Sequence, residues 1–147
     1  MFGIAIVLLM ILLISRIMLK EKEIDFKSKS PLILIIIGLL LTIVIIHAYH
    51  ENMTMYLYMI ATCITGLVFG LIRGTTIKVW LNPTSNKWMK KGTIITVIIF
   101  IIGIAVNVGI EKLLFPDFVS GLNSIMTTLH IGVTLYAVKI MLKRKIA

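Results

Sequence analysis

The chain has 147 residues, 59% of them hydrophobic and 14% charged, with a mean hydropathy of +1.08. Soluble domains carry about a quarter charged residues, so these figures exclude an ordinary water-soluble globule. The net charge of +9 would suit nucleic acid, but the basic residues sit in short stretches between long apolar runs, which assigns them to a membrane surface.

The first apolar run, residues 2–19, has no basic residue before it and no small-residue cleavage site after it, so it reads as a retained span rather than a signal peptide. It reaches spanning length when Arg16 snorkels to the interface. The second span, 31–48, opens on Ser30-Pro31, a cap followed by a first-turn proline. The third covers 53–72. The fourth covers 92–112 and can run on to Phe115, where Pro116 disfavours further helix. The fifth, 119–142, is the most polar.

Charge placement orients these spans. Arg16, Lys20, Lys22, Lys27 and Lys29 fall in the first loop, and Arg73, Lys78, Lys87, Lys90 and Lys91 in or beside the third. Lys139, Lys143, Arg144 and Lys145 close the chain. Fourteen of the 15 basic residues thus lie on one side, and Lys112 alone on the other. The positive-inside rule then predicts an all-α bundle of five transmembrane helices in one domain. Its N-terminus is expected outside and its C-terminus in the cytoplasm, in a bacterial cytoplasmic membrane.

The loop from Gly74 to Lys91 has its own pattern. Thr75 to Leu81 reads as a strand, Asn82-Pro83-Thr84-Ser85-Asn86 as a turn, and Lys87 to Lys90 as the returning strand. A basic cytoplasmic hairpin carrying Trp80 and Trp88 suits the headgroup region. Arg73, closing helix three, is read as a third interface anchor that can also hold a lipid phosphate or an acidic partner.

Inside the spans, Gly66, Gly70 and Gly74 recur every four residues on helix three, with Thr62 one step earlier. Such a row lets another helix approach to backbone contact. Packing within the bundle is favoured over a dimer seam. On helix five Asn123, Thr127, His130 and Thr134 form one line within a polar arc of about 200°. Leu122, Ile125, Met126, Leu129 and Val133 fill the opposite arc, which is expected to face lipid. Asn107 on helix four is the other deep polar side chain, and no carboxylate is expected within an apolar segment. These polar groups read first as interhelical hydrogen bonds, and alternatively as a track that binds a small polar ligand or relays protons.

His47, His50 and Met53 at the outer rim form a soft donor set of the kind that suits Cu(I), but their spacing is weak and no metal is expected. A haem between His47 and His130 is disfavoured because the two differ in depth by roughly 16 Å. Cys63 is the single cysteine and can form no intramolecular disulfide. With no nucleophile–base pair and no phosphate-binding glycine loop, neither an enzyme nor a cofactor is expected.

The helix end Gly66-Leu67-Val68-Phe69-Gly70-Leu71-Ile72-Arg73-Gly74 is followed by a basic strand-like loop, a helix from Gly92 and a Leu142-Lys143-Arg144-Lys145 tail. In these features, about half the chain, it resembles the CcdC-like family of small bacterial membrane proteins, named for an association with cytochrome c biogenesis. The resemblance implies a similar size and five spans, and it brings no catalytic residues. The expected function is that of a non-enzymatic accessory or interaction component, with the bilayer and a membrane-protein partner or second copy as its contacts and no nucleic acid. The alternative is a small transporter, channel or immunity-type protein using the polar face of helix five.

Overall fold

Ser30 and Pro31 start a helix as their sequence suggests, and the segment before it is organised to deliver them. Asp25 Oδ1 accepts the N–H groups of Lys27 and Ser28, and the Ser28 and Ser30 hydroxyls hydrogen-bond at 2.7 Å. The computed structural model describes residues 12–48, 53–114 and 122–147, with side chains in the last segment described from Ile125 onward. In chain order these form α1 (residues 12–19), β1 (Lys22–Glu23), α2 (Ser30–Ala48), α3 (Met53–Thr76), β2 (Lys78–Asn82), β3 (Lys87–Lys91), α4 (Ile94–Leu114) and α5 (Leu122–Ile146). The protein is mostly helical, and α2, α3, α4 and α5 are each long and apolar enough to cross a membrane. Most of the expected first span, 2–19, lies outside the described residues.

The helices overrun their expected ends where side chains satisfy the terminal backbone. Helix α3 continues through Thr76 rather than stopping at residue 72, with Thr75 and Thr76 donating to the Ile72 and Arg73 carbonyls. Strand β2 therefore begins at Lys78, not Thr75. Helix α5 extends to Ile146, where Lys145 Nζ caps the Thr75 and Ile77 carbonyls.

Helix α5 is the axis of the bundle, packing most extensively on α3, then on α2, and more lightly on α4. For three residues of its apolar arc this overturns the expectation that they face lipid: Met126 and Leu129 are fully buried and Val133 nearly so. Ile125 is half-buried, and the Leu122 side chain lies outside the described residues. Helix α2 covers that arc through two glycines. A methyl group on Gly38 would lie 2.9 Å from Leu129 Cα, and one on Gly132 would lie 2.9 Å from the Ile35 nitrogen. The buried residues of α2 are Gly38, Thr42 and Ile46, one stripe at four-residue spacing. Thr42 satisfies its own hydroxyl on the Gly38 carbonyl at 2.7 Å. The most polar helix thus occupies the middle while the flanking helices expose Leu, Ile and Val, the arrangement that keeps costly polar groups out of lipid.

The expected hairpin is part of a three-stranded antiparallel sheet of order β1-β3-β2. Its register pairs Lys78 with Lys91, Trp80 with Met89, Leu81 with Trp88 and Asn82 with Lys87. Asn86 closes the turn at φ 52°, a conformation asparagine tolerates better than most residues. Strand β1 was not expected. Its two residues pair with Lys90 and Met89 and are too few to show a strand periodicity. The all-α description therefore holds for the bundle and not for its sheet end.

Candidate functional site: a buried polar column between α3, α4 and α5

Helices α3 and α4 run antiparallel, and their facing polar residues keep one register. At the end far from the sheet the Tyr58 hydroxyl donates to Glu111 Oε2 at 3.4 Å. Four residues on along α3 and four back along α4, Thr62 donates to Asn107 Oδ1 at 3.0 Å. A further step of the same size brings Gly66 and Gly103 to the level of His130. At the sheet end the Thr93 hydroxyl donates to the Thr76 carbonyl at 3.2 Å, and the Thr76 and Thr96 hydroxyls meet at 2.8 Å.

His130 enters this column from α5. It is 2% exposed, and its Nδ1 lies 3.5 Å from Thr65 Oγ1. The Thr65 hydroxyl already donates to the Ala61 carbonyl at 2.8 Å, so a hydrogen bond to the imidazole places the proton on Nδ1. Gly103 makes room for it: a methyl group there would lie 3.4 Å from His130 Nε2 and 3.2 Å from the Phe69 ring.

Glu111 corrects the expectation that no carboxylate enters an apolar segment. It is 2% exposed inside α4. Followed by Lys112 at the end of an apolar run, it looks like the start of a loop. The missed signal is helical phase, because Glu111 is one turn beyond Asn107, as Tyr58 is one turn before Thr62. Asn107 Nδ2, Glu111 Oε1 and Thr134 Oγ1 are buried without a hydrogen-bond partner in the structure.

The expected line on helix five is divided. His130 and Thr134 are buried, Thr127 is half-buried, and the Asn123 side chain lies outside the described residues. Asn107 bonds to α3 through Thr62 rather than joining that line. The glycine row lies against α5. A methyl group on Gly66 would meet the His130 carbonyl at 3.1 Å, one on Gly70 the Thr134 carbonyl at 2.6 Å, and one on Gly74 the Met141 Cβ at 2.5 Å. Thr62, one step earlier, faces α4 instead.

Of the three interface anchors, Arg73 lies inside the bundle rather than on its surface. It is buried one turn before the end of α3, with its guanidinium 4.9 Å from the centroid of the Phe100 ring, a cation–π contact. Trp80 and Trp88 are half-buried and, from their register, stand on opposite faces of the sheet. At the other end of the bundle His47 and Met53 are exposed on separate helices, and His50 lies outside the described residues. Among the described residues no three His, Cys, Asp or Glu side chains come together as metal ligands would.

Compared with protein-family models, characterised proteins and solved structures, the chain matches none.

Proposed function

We propose that this chain is a non-enzymatic interaction component of a membrane complex, a small multi-pass protein of the bacterial cytoplasmic membrane. It has five spans, with the N-terminus outside and the sheet and C-terminus in the cytoplasm. What supports this reading is the pairing of polar groups inside the bundle: Tyr58 with Glu111, Thr62 with Asn107, and Thr65 with His130. Groups bonded to one another hold helices together, and each such bond contributes on the order of 1 kcal/mol in a membrane. The partner surface is then the apolar exterior, which includes Ile36, Leu40 and Val44 of α2, the least buried of the four long helices.

The topology is tested with single cysteines in a Cys63→Ser background. Asn82→Cys and Lys145→Cys are expected to react with an impermeant maleimide only after the membrane is opened, and Lys112→Cys in intact cells. Labelling of positions 82 and 112 from the same side rejects the arrangement.

The functional reading is tested at His130. Purified protein in mild detergent is expected to run as a defined oligomer or with a stoichiometric partner, and to carry no proton flux in liposomes. His130→Gln retains one donor and one acceptor and is expected to preserve both assembly and thermal stability. His130→Leu should lower stability by about 1 kcal/mol. A monomer that passes protons, and stops doing so in His130→Gln with the fold intact, supports the transport alternative instead, because glutamine cannot exchange a proton near neutral pH.

A further inference from the structure

At the sheet end of the bundle the positive charges are sorted by face. Side chains directly opposite each other in an antiparallel ladder share a face, and neighbours along a strand alternate. On the outer face Glu23 pairs with Lys87 at 3.0 Å and Glu21 with Lys91 at 3.2 Å. On the inner face Lys22 stands directly across from Lys90, an arrangement of like charges that destabilises a sheet unless something lies between them. The acids of this end have partners of their own, although Glu23 and Asp25 also line a neighbouring cavity that Lys22 and Lys90 share. Glu21 and Glu23 point outward, and Asp25 receives the Lys27 and Ser28 amides.

Beneath that pair lies a cavity of about 160 Å³, several times the ~30 Å³ share of one water molecule. Lys20, Lys22, Lys90 and Arg73 line it together with apolar walls from Ile17, Ile77 and Leu135. Arg73 is 8% exposed, and its Nε has no hydrogen-bond partner. A guanidinium has five donors in a rigid fork and no way to shed its charge, so burying it against the Phe100 ring with Nε unpaired among the described residues is costly. Burial, then the charges of Arg73 and Lys22, pull the Lys90 ammonium pKa below its usual value, the response of a cation crowded by cations.

We propose that this cavity is a binding site for a phosphate group of net negative charge, held by the Arg73 fork from within the bundle and by Lys22 and Lys90 from the sheet. Arginine matches phosphate geometry and lysine adds charge. Such a phosphate is carried by an anionic phospholipid or by a soluble phosphate compound. Ile17, Ile77, Leu135 and Val138 set apolar surface beside the cations, which is what a lipid with acyl chains requires. The proposal goes beyond the reading of the chain as an interaction component and does not depend on it.

The test uses the intact protein, delipidated in dodecyl maltoside, with binding followed by native mass spectrometry and thermal stability. The probes are phosphatidylglycerol, zwitterionic phosphatidylcholine and inorganic phosphate. One phosphatidylglycerol per chain is expected to bind, in preference to phosphatidylcholine. Lys22→Gln with Lys90→Gln is expected to weaken it about tenfold or more, while Lys87→Gln with Lys91→Gln, the same charge change on the outer face, leaves it within about twofold. Arg73 is left in place so that the bundle stays packed, and the two inner-face variants are also tested singly. Without ligand the inner-face variants should melt no lower than the parent, since a repulsion has been removed. Phosphatidylglycerol binding without phosphate binding identifies the lipid. Phosphate that binds alone and competes identifies a soluble source, and both support the site. Three results would each overturn it: no binding of either anion, equal weakening by the outer-face pair, or inner-face variants that melt lower without ligand.

Discussion

Gly70→Leu is expected to destabilise the folded bundle severely in detergent. The first atom of any side chain at position 70 would lie 2.6 Å from both Ala137 Cβ and the Thr134 carbonyl, and 3.0 Å from Thr134 Cα. Two of those three are backbone atoms of α5 and cannot swing aside, so α3 and α5 must separate along the most extensive contact in the molecule. Overpacking a core costs about 1–3 kcal/mol and occasionally more, against a total stability of about 5–15 kcal/mol for a typical domain. Leucine adds three further carbons, and the loss of α3–α5 contact follows. Gly109→Ala is the matched control. A methyl group there meets nothing within 4 Å, and alanine in a helix interior is favoured over glycine by about 0.5–1 kcal/mol. The pair should therefore differ in sign when thermal unfolding is followed by circular dichroism. A Gly70→Leu protein that melts with the parent would place α3 away from α5 and reject the packing described above.

The second large effect concerns Glu111, where removing one partner and removing both should have opposite consequences. Tyr58→Phe deletes the hydroxyl that donates to Oε2 and leaves a buried carboxyl group whose other oxygen is already without a partner. Hydrogen bonds to such groups are worth about 1.5–3 kcal/mol, and orphaning the acceptor adds a desolvation penalty. The 3.4 Å separation puts the expected loss at the low end, about 1–2 kcal/mol. Glu111→Leu likewise removes one partner and takes the acceptor away from the fully buried Tyr58 hydroxyl, so it too should lose stability. The double variant, which replaces both partners by apolar groups, should be neutral or stabilising. It should therefore regain most of what Tyr58→Phe loses. If the double variant melts higher yet fails to complement a deletion strain, the carboxyl group is retained for function at the expense of stability. Should Glu111→Leu prove the more damaging of the two single changes, the acid is a structural tie and the column reads as scaffold throughout.

Much of the architecture was legible because lipid imposes simple rules on sequence. Long apolar runs had to be helices, since only a helix satisfies its own backbone without water, and three of the four long described helices, α2, α3 and α4, begin within two residues of their expected starts. The Lys87 to Lys90 strand and the Asn82 to Asn86 turn were equally local, set by turn chemistry and alternation. The spacing of Gly66, Gly70 and Gly74 indicated a close contact, though not which helix would fill it.

The partners were decided by the tertiary structure. An amphipathic count on helix five assigns Met126, Leu129 and Val133 to lipid because in a single helix the polar side is the one expected to be hidden. Packed on both sides, with α2 against Gly132 and α3 against the glycine row, that helix keeps Ile125, Thr128 and Ile131 half-buried, while Met126, Leu129 and Val133 of its apolar arc became core. Glu111 looked like loop until α4 carried it one turn past Asn107 and set it against Tyr58, a pairing between residues 53 positions apart. Lys22 and Lys90 are farther apart still, and their meeting above Arg73 depends on a two-residue strand that leaves no periodic trace. The sequence by itself determined what each segment is, because hydropathy and charge act within a segment. Only the tertiary structure decided what each segment meets, because those contacts depend on which faces the other helices have already covered.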